Sequence, residues 1–180
     1  SMQRIPLFEP DEELGKYLPL GLNTDNDYEI SFSPRDLILV GGRRGAGKSI
    51  TCSNIANNVY ESGKSAIYFT IEMDSRAILQ RCCSIATEIP FSRLRAKNLN
   101  VTEWEKVASW WAGRYQDSQE RLAEYQEHRN FEQFHDKLKS TCELHPTQQL
   151  DVVYDPSLTV SKIRAELDKK IKSKMDVGVV

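Results

Sequence analysis

The stretch Gly41 to Ser49, GGRRGAGKS, constrains the fold of this 180-residue chain more than any other. It follows the apolar run Leu37-Ile38-Leu39-Val40 and opens a segment of helical periodicity. Within it Gly42, Gly47, Lys48 and Ser49 meet the pattern G-x-x-x-x-G-K-S in a strand-to-helix setting that a chance match lacks. Backbone N–H groups around Arg44, Gly45, Ala46, Gly47 and Lys48 can wrap a phosphate, because Gly45 and Gly47 permit backbone angles and a close approach that a side chain obstructs. The helix that begins at Ser49 and Ile50 aims its free N–H groups and positive dipole end at the same anion. Lys48 adds a mobile charge for β and γ phosphates, and the Ser49 hydroxyl is placed for a magnesium ion.

The rest of the chain can be laid out around that loop. Leu37 to Val40 is expected to be the first strand and Ala66 to Ile71 the second. Between them Ile50 to Tyr60 sets Cys52, Ile55, Ala56 and Val59 on one helical face and stops at Glu61-Ser62-Gly63-Lys64. Strand, glycine loop, helix, turn and strand make a βαβ unit. A helix from Asp74 or Ser75 through Ala86 ends at Ile89-Pro90, and Thr102 with Glu105 reads as a capping box. The charged stretch from there to residue 139 reads as packed helices divided near Gly113 and Asn130. A third strand is expected over Asp151 to Tyr154, a helix over Val160 to Ser173, and the first part of a fourth strand over Val177 to Val180. Residues 1–34, acid-rich and broken by Pro6, Pro10, Pro19 and Pro34, read as a lead-in or linker with one short helix around Asp11 to Leu18. Residues 35–180 form the α/β domain.

Hydrolysis of a bound nucleotide needs a group that orients water. The second strand runs out through Tyr68-Phe69-Thr70-Ile71-Glu72-Met73, which puts Glu72 at the carboxyl end of a parallel strand, where open α/β sheets hold their ligands. Lys48 and Glu72 are therefore the candidate catalytic pair.

Composition limits the alternatives. The formal net charge of -2 gives no global bias toward nucleic acid or an anionic membrane. The basic run Lys162, Arg164, Lys169, Lys170, Lys172 and Lys174 has no interleaved aromatics to stack bases, so weak, salt-sensitive DNA binding is expected of it. Cys52, Cys82, Cys83 and Cys142 lack a metal-ligand spacing and read as reduced side chains, two of them adjacent in a helix. No apolar run reaches the 18 residues of a membrane span and no leader is visible, so the cytoplasm is the expected compartment. Ser1 ahead of Met2 reads as an added residue.

Taken together, GGRRGAGKS, YFTIEM at 68–73, IPFSRLRAKNLNVTEWEKV at 89–107 and DPSLTVSKIRAELDKK at 155–170 resemble the ATPase domain of the DnaB-like replicative helicases of bacteria and phages. The resemblance covers roughly residues 32–110 and 150–180; the segment from about 115 to 147 matches poorly and reads as lineage-specific. It implies a RecA-like P-loop core, a mostly parallel sheet flanked by helices, with ATP and Mg2+ as cofactors. The glutamate of that family's "LEM" sequence, which activates water, falls on Glu72, and a loop arginine common in the family falls on Arg43. Gly42 in place of a frequent alanine and Arg44 in place of a frequent proline point to a divergent phage or mobile-element branch. The resemblance further implies single-stranded DNA as a partner, a homo-oligomer built as a hexameric ring, and a primase or loader. The family's magnesium-holding aspartate, DNA loops and arginine finger come later than these 180 residues, and Asp176, which precedes its strand, does not take the aspartate's role. The residues alone leave two other readings open: a recombinase-like DNA-dependent ATPase, and a non-catalytic nucleotide-binding assembly fragment.

Overall fold

The computed structural model describes residues 36–180 together with two short strands, β1 (Leu18–Pro19) and β2 (Ser31–Phe32), which pair antiparallel. The helix expected over residues 11–18 lies outside the described residues except for Leu18, which pairs with Phe32. From the glycine loop onward the order is α1 (Lys48–Glu61), β3 (Ser65–Thr70), α2 (Ser75–Thr87), α3 (Phe91–Arg95), α4 (Val101–Ala112), α5 (Gln119–His128), α6 (Phe131–Thr141), β4 (Leu150–Tyr154), α7 (Val160–Lys172) and β5 (Val177–Val179).

The sheet is parallel, ordered β4-β3-β5, so the chain crosses β3 by way of α7 to reach its other edge. Ala66 to Thr70 pair one for one with Leu150 to Tyr154, whereas β5 meets β3 only at Ser65–Val177 and Ala66–Val179, with a register shift between them. A parallel strand covered by helices is apolar along its length, and Ala66, Ile67 and Leu150 are fully or nearly fully buried. Ile55, Ala56 and Val59 of α1 close over this sheet with Ile78 and Cys82 of α2. The face predicted for α1 is the buried one, although Cys52 at its start is only partly covered.

Leu37 to Val40 departs from expectation: it forms no ladder with any described strand. Leu37 and Leu39 are 98% and 93% exposed, while Ile38 and Val40 line a cavity of about 400 Å³ with Cys52, Ile67, Val179 and Val180. Apolar alternation chooses which side chains face inward, but a strand also needs a partner edge. The edge nearest these residues is β5, three residues long and irregular in register.

The expected capping box is shifted by two residues. Asn100, not Thr102, caps α4: its side chain accepts from the Glu103 N–H at 2.9 Å, and the Glu103 carboxylate accepts from the Asn100 N–H at 3.1 Å. Glu103 also accepts from both terminal guanidinium nitrogens of Arg93 in α3, whereas Glu105 of the expected box pairs with Arg129. The charged stretch is indeed three helices, with Gly113 closing α4 and Asn130 capping α6.

α4, α5 and α6 build a second core from Ala108, Ala112, Tyr125, Phe134 and Leu138, with Trp104 and Phe131 rings packed at its edge. The chain enters and leaves the α5–α6 hairpin through a narrow neck. Tyr115 and Leu144 form an antiparallel bridge, the Gln116 N–H donates to the Glu143 carbonyl at 2.7 Å, and the His145 N–H donates to the Arg114 carbonyl at 3.2 Å.

Candidate nucleotide site

The loop adopts the conformation its glycines allow. Gly45 and Gly47 have φ of 79° and 87°, left-handed angles that cost a side-chain-bearing residue strain. The Ala46 N–H closes a turn onto the Arg43 carbonyl at 3.0 Å. At Gly42 an added Cβ would stand 3.1 Å from the Ala46 Cβ, so an alanine here requires that neighbour to give slightly.

Gly47 is the N-cap of α1, and no side chain caps the helix. No acidic residue occupies the first turn, so the N–H groups and the positive dipole end are left for an external anion. The Thr51 hydroxyl ties back to the Gly47 carbonyl at 3.1 Å and stiffens the entry. Lys48 folds onto the loop, its ammonium donating to the carbonyls of Gly42 at 2.6 Å and Arg43 at 3.3 Å. Arg43, Arg44, Ala46, Ser49 and Ile50 are all exposed around it.

Glu72 is exposed in the bend between β3 and α2. Topology brings it to the same end of the molecule as the loop. α1 runs back along β3, and Tyr68, two residues before Thr70, lies against Cys52 and Ser53 in the first turns of α1; burial raises its phenol above the ordinary value. The far end of α1 meets the other end of the sheet, where the Gln148 side chain donates to the Tyr60 carbonyl at 2.7 Å. The loop and Glu72 therefore share the carboxyl edge of a parallel sheet.

Asp176 stands at the opposite edge. Its carbonyl accepts from the Ser65 N–H at 2.6 Å and its carboxylate pairs with Lys64 at 3.3 Å, a strand-entry contact remote from the loop.

One contact escaped the sequence reading. Thr70 is 8% exposed, and its hydroxyl both donates to the Met73 carbonyl at 2.8 Å and accepts from the Met73 N–H at 3.2 Å, closing the bend that carries Glu72. A threonine at the end of a strand gives no periodic signal, although hydroxyl-to-backbone turns of this kind are a general property of the residue.

The basic run does not form one open cationic face. Lys162 pairs with Asp155, Lys169 with Glu166 and Lys170 with Asp151. Among the described residues there is no cluster of three or more His, Cys, Asp or Glu that could hold a metal ion, and no helix is long and apolar enough to cross a membrane. The four cysteines are free thiols, Cys82 and Cys83 buried.

The chain is similar to the replicative DNA helicase DnaB of Nostoc sp., 32% identical over 92 residues that make 51% of this chain and 10% of that protein. It is 36% identical over 77 residues to a probable replicative DNA helicase of Trieres chinensis, covering 42% of this chain and 17% of the relative. With the replicative DNA helicase DnaB of Buchnera aphidicola it shares 29% identity over 94 residues, 49% of this chain and 20% of the other. It thus spans a fifth or less of the length of these relatives. No solved structure matches it. The family model for the DnaB-like helicase C terminal domain matches residues 18–180, a span that takes in the loop, the bend after β3 and the whole parallel sheet, and the chain belongs to that family, with its RecA-like P-loop α/β fold.

Proposed function

We propose that this chain supplies the ATP-binding core of a replicative DNA helicase motor, in which hydrolysis drives translocation along single-stranded DNA. The observation that carries this reading is the shared edge. An uncapped helix start behind two left-handed glycines and a loop lysine stands at the same end of the sheet as the exposed Glu72. The relatives named as replicative helicases supply the biological direction.

In this proposal Gly42 to Ile50 hold the phosphates, Lys48 meets the β and γ oxygens, Ser49 is a magnesium ligand, and Glu72 orients the attacking water. A magnesium ion held by the Ser49 hydroxyl would supply charge neutralisation at the phosphates. The protein's own share is fixed N–H donors, a positive helix end and a carboxylate on the γ side. The working unit is a hexameric ring in the cytoplasm that meets a primase or loader, with its main DNA contacts in regions beyond the span matched here. Residues 1–34 lead into the motor and the α5–α6 hairpin is an accessory to it.

The test uses the protein that carries these residues together with the rest of a relative's length. Lys48→Ala removes a charge that meets phosphate in ground and transition states alike, so ATP affinity and turnover fall together. Glu72→Gln keeps size and a hydrogen-bonding group, so ATP binds while turnover falls by roughly 10² to 10⁴. Calorimetric affinity and steady-state ATPase rates read the two effects. A Glu72→Gln protein that turns over at the unmodified rate removes Glu72 from the mechanism.

A further inference from the structure

Glu72 lies in a four-residue bend, and an exposed carboxylate on a bend is useful for orienting water only if the bend has one conformation. Two of the contacts that hold this one pass through Thr70. The Thr70 carbonyl accepts from the Asp155 N–H at 3.1 Å, which extends the β3–β4 pairing one rung past the last strand residue. Its hydroxyl reaches forward instead, donating to the Met73 carbonyl and accepting from the Met73 N–H at 2.8 and 3.2 Å. The next residue, Asp74, caps α2 through the Ala77 N–H at 2.8 Å. Ile71, Glu72 and Asp74 are thus the exposed residues of a loop pinned to the sheet on one side and to a helix start on the other.

We infer that Thr70 is the positioning residue for Glu72: its hydroxyl fixes the bend so that the carboxylate is held at the nucleotide edge rather than swinging with the loop. The inference rests on the reading of Glu72 as the water-orienting group. Thr70 itself touches no reacting atom. Its side chain is buried beneath the bend, and its donor and acceptor roles are both taken by Met73. Catalysis by orientation is steep in distance, and a displacement near 1 Å at a water-orienting group costs up to about a hundredfold in rate. Valine matches the shape of threonine but has neither the donor nor the acceptor, while serine retains both.

Two measurements test this. In the 180-residue chain, Thr70→Val leaves the Met73 amide without its acceptor, so amide hydrogen exchange there accelerates, while Thr70→Ser keeps the protection. In the longer ATPase, Thr70→Val lowers kcat roughly ten- to a hundredfold with the KM for ATP nearly unchanged. Thr70→Ser restores most of the rate, and Thr70→Val adds no further loss in a Glu72→Gln background. An equal loss in both backgrounds means that the hydroxyl supports the fold rather than Glu72, and overturns the inference. So does a Thr70→Val enzyme of unchanged kcat in a protein where Glu72→Gln is slow. If Glu72→Gln itself turns over normally, the reading of Glu72 fails first, and the exchange result alone still reports whether the bend depends on Thr70.

Discussion

Gly178, the middle residue of β5, lies against α1 and the turn that follows it, and an alanine there should destabilise the domain by a steric clash, chiefly with Val59. A Cβ built on Gly178 falls 2.6 Å from the Val59 Cγ1 and 3.0 Å from the Lys64 Cβ. Carbon atoms in contact are comfortable at about 3.5–4.0 Å, so roughly 1 Å must be found. Val59 cannot supply it cheaply: it is 2% exposed, packed in the main core, and β-branched in a helix that leaves it one favoured rotamer. Gly178 does not have positive φ, so backbone strain does not enter and the cost is steric. Overpacking of this kind costs about 1–3 kcal/mol. With a urea slope of about 2 kcal/mol/M the unfolding midpoint should fall on the order of 1 M. Val59→Ala alone empties core volume at a cost of about 2 kcal/mol. In the double variant the new methyl enters the space that valine vacated, so the combined loss should fall short of the sum by about 1 kcal/mol or more. Urea unfolding of the four proteins decides it. Strictly additive losses, or a Gly178→Ala chain as stable as the original, would refute the close approach of β5 to α1.

Acid should weaken the domain through three carboxylates. Glu103 is held below its ordinary pKa by the Asn100 N–H and then by Arg93, Glu124 by Lys137, and Asp155 by Lys162 and the Ser157 N–H. A carboxyl with a depressed folded pKa stabilises the fold above its unfolded pKa, and that contribution disappears as pH falls through the folded value. Glu103→Gln should therefore lower the urea midpoint at neutral pH and lose that difference as pH falls through the depressed folded value of Glu103, a convergence that paired titrations will show or rule out. Thiol reactivity gives a third check. Burial pushes Cys82 and Cys83 up to about 12, so at mildly alkaline pH iodoacetamide should modify the partly exposed Cys142 and Cys52 well before either, and peptide mapping that finds Cys82 or Cys83 labelled first would contradict the packing of α2.

Most elements were legible because their ends are chemically marked. Gly63, Asp74, Pro90, Gly113 and Asn130 each bound a helix or turn near the place their side-chain chemistry predicts. The loop conformation followed from Gly45 and Gly47 for the same local reason. What could not be read depends on distant partners. Asn100-x-x-Glu103 and Thr102-x-x-Glu105 overlap as candidate caps in the sequence, and the distant partners of the two glutamates, Arg93 for Glu103 and Arg129 for Glu105, leave no mark in either pattern. The pairing of Leu37 to Val40 turns on how much edge β5 offers, which its own residues do not encode. α3 is five residues long, too short for a period to emerge. The Thr70 bridge joins a hydroxyl to backbone atoms, and no pattern of apolar residues records such a bond.

The neck at Tyr115 and Leu144 has a consequence for how much of this chain can vary. The two bonds flanking that bridge hold the ends of the α5–α6 hairpin together, so the intervening chain can lengthen or shorten at a loop-closure cost that grows only with the logarithm of its length. The hairpin packs on α4 and shares with it a core distinct from the one over the parallel sheet, while Phe131 also meets the cluster of Cys83, Ile89 and Val107. The hairpin's outer surface can therefore change at little cost to the core over the sheet, so long as the side chains that meet α4 and the Phe131 contact with Cys83, Ile89 and Val107 are kept.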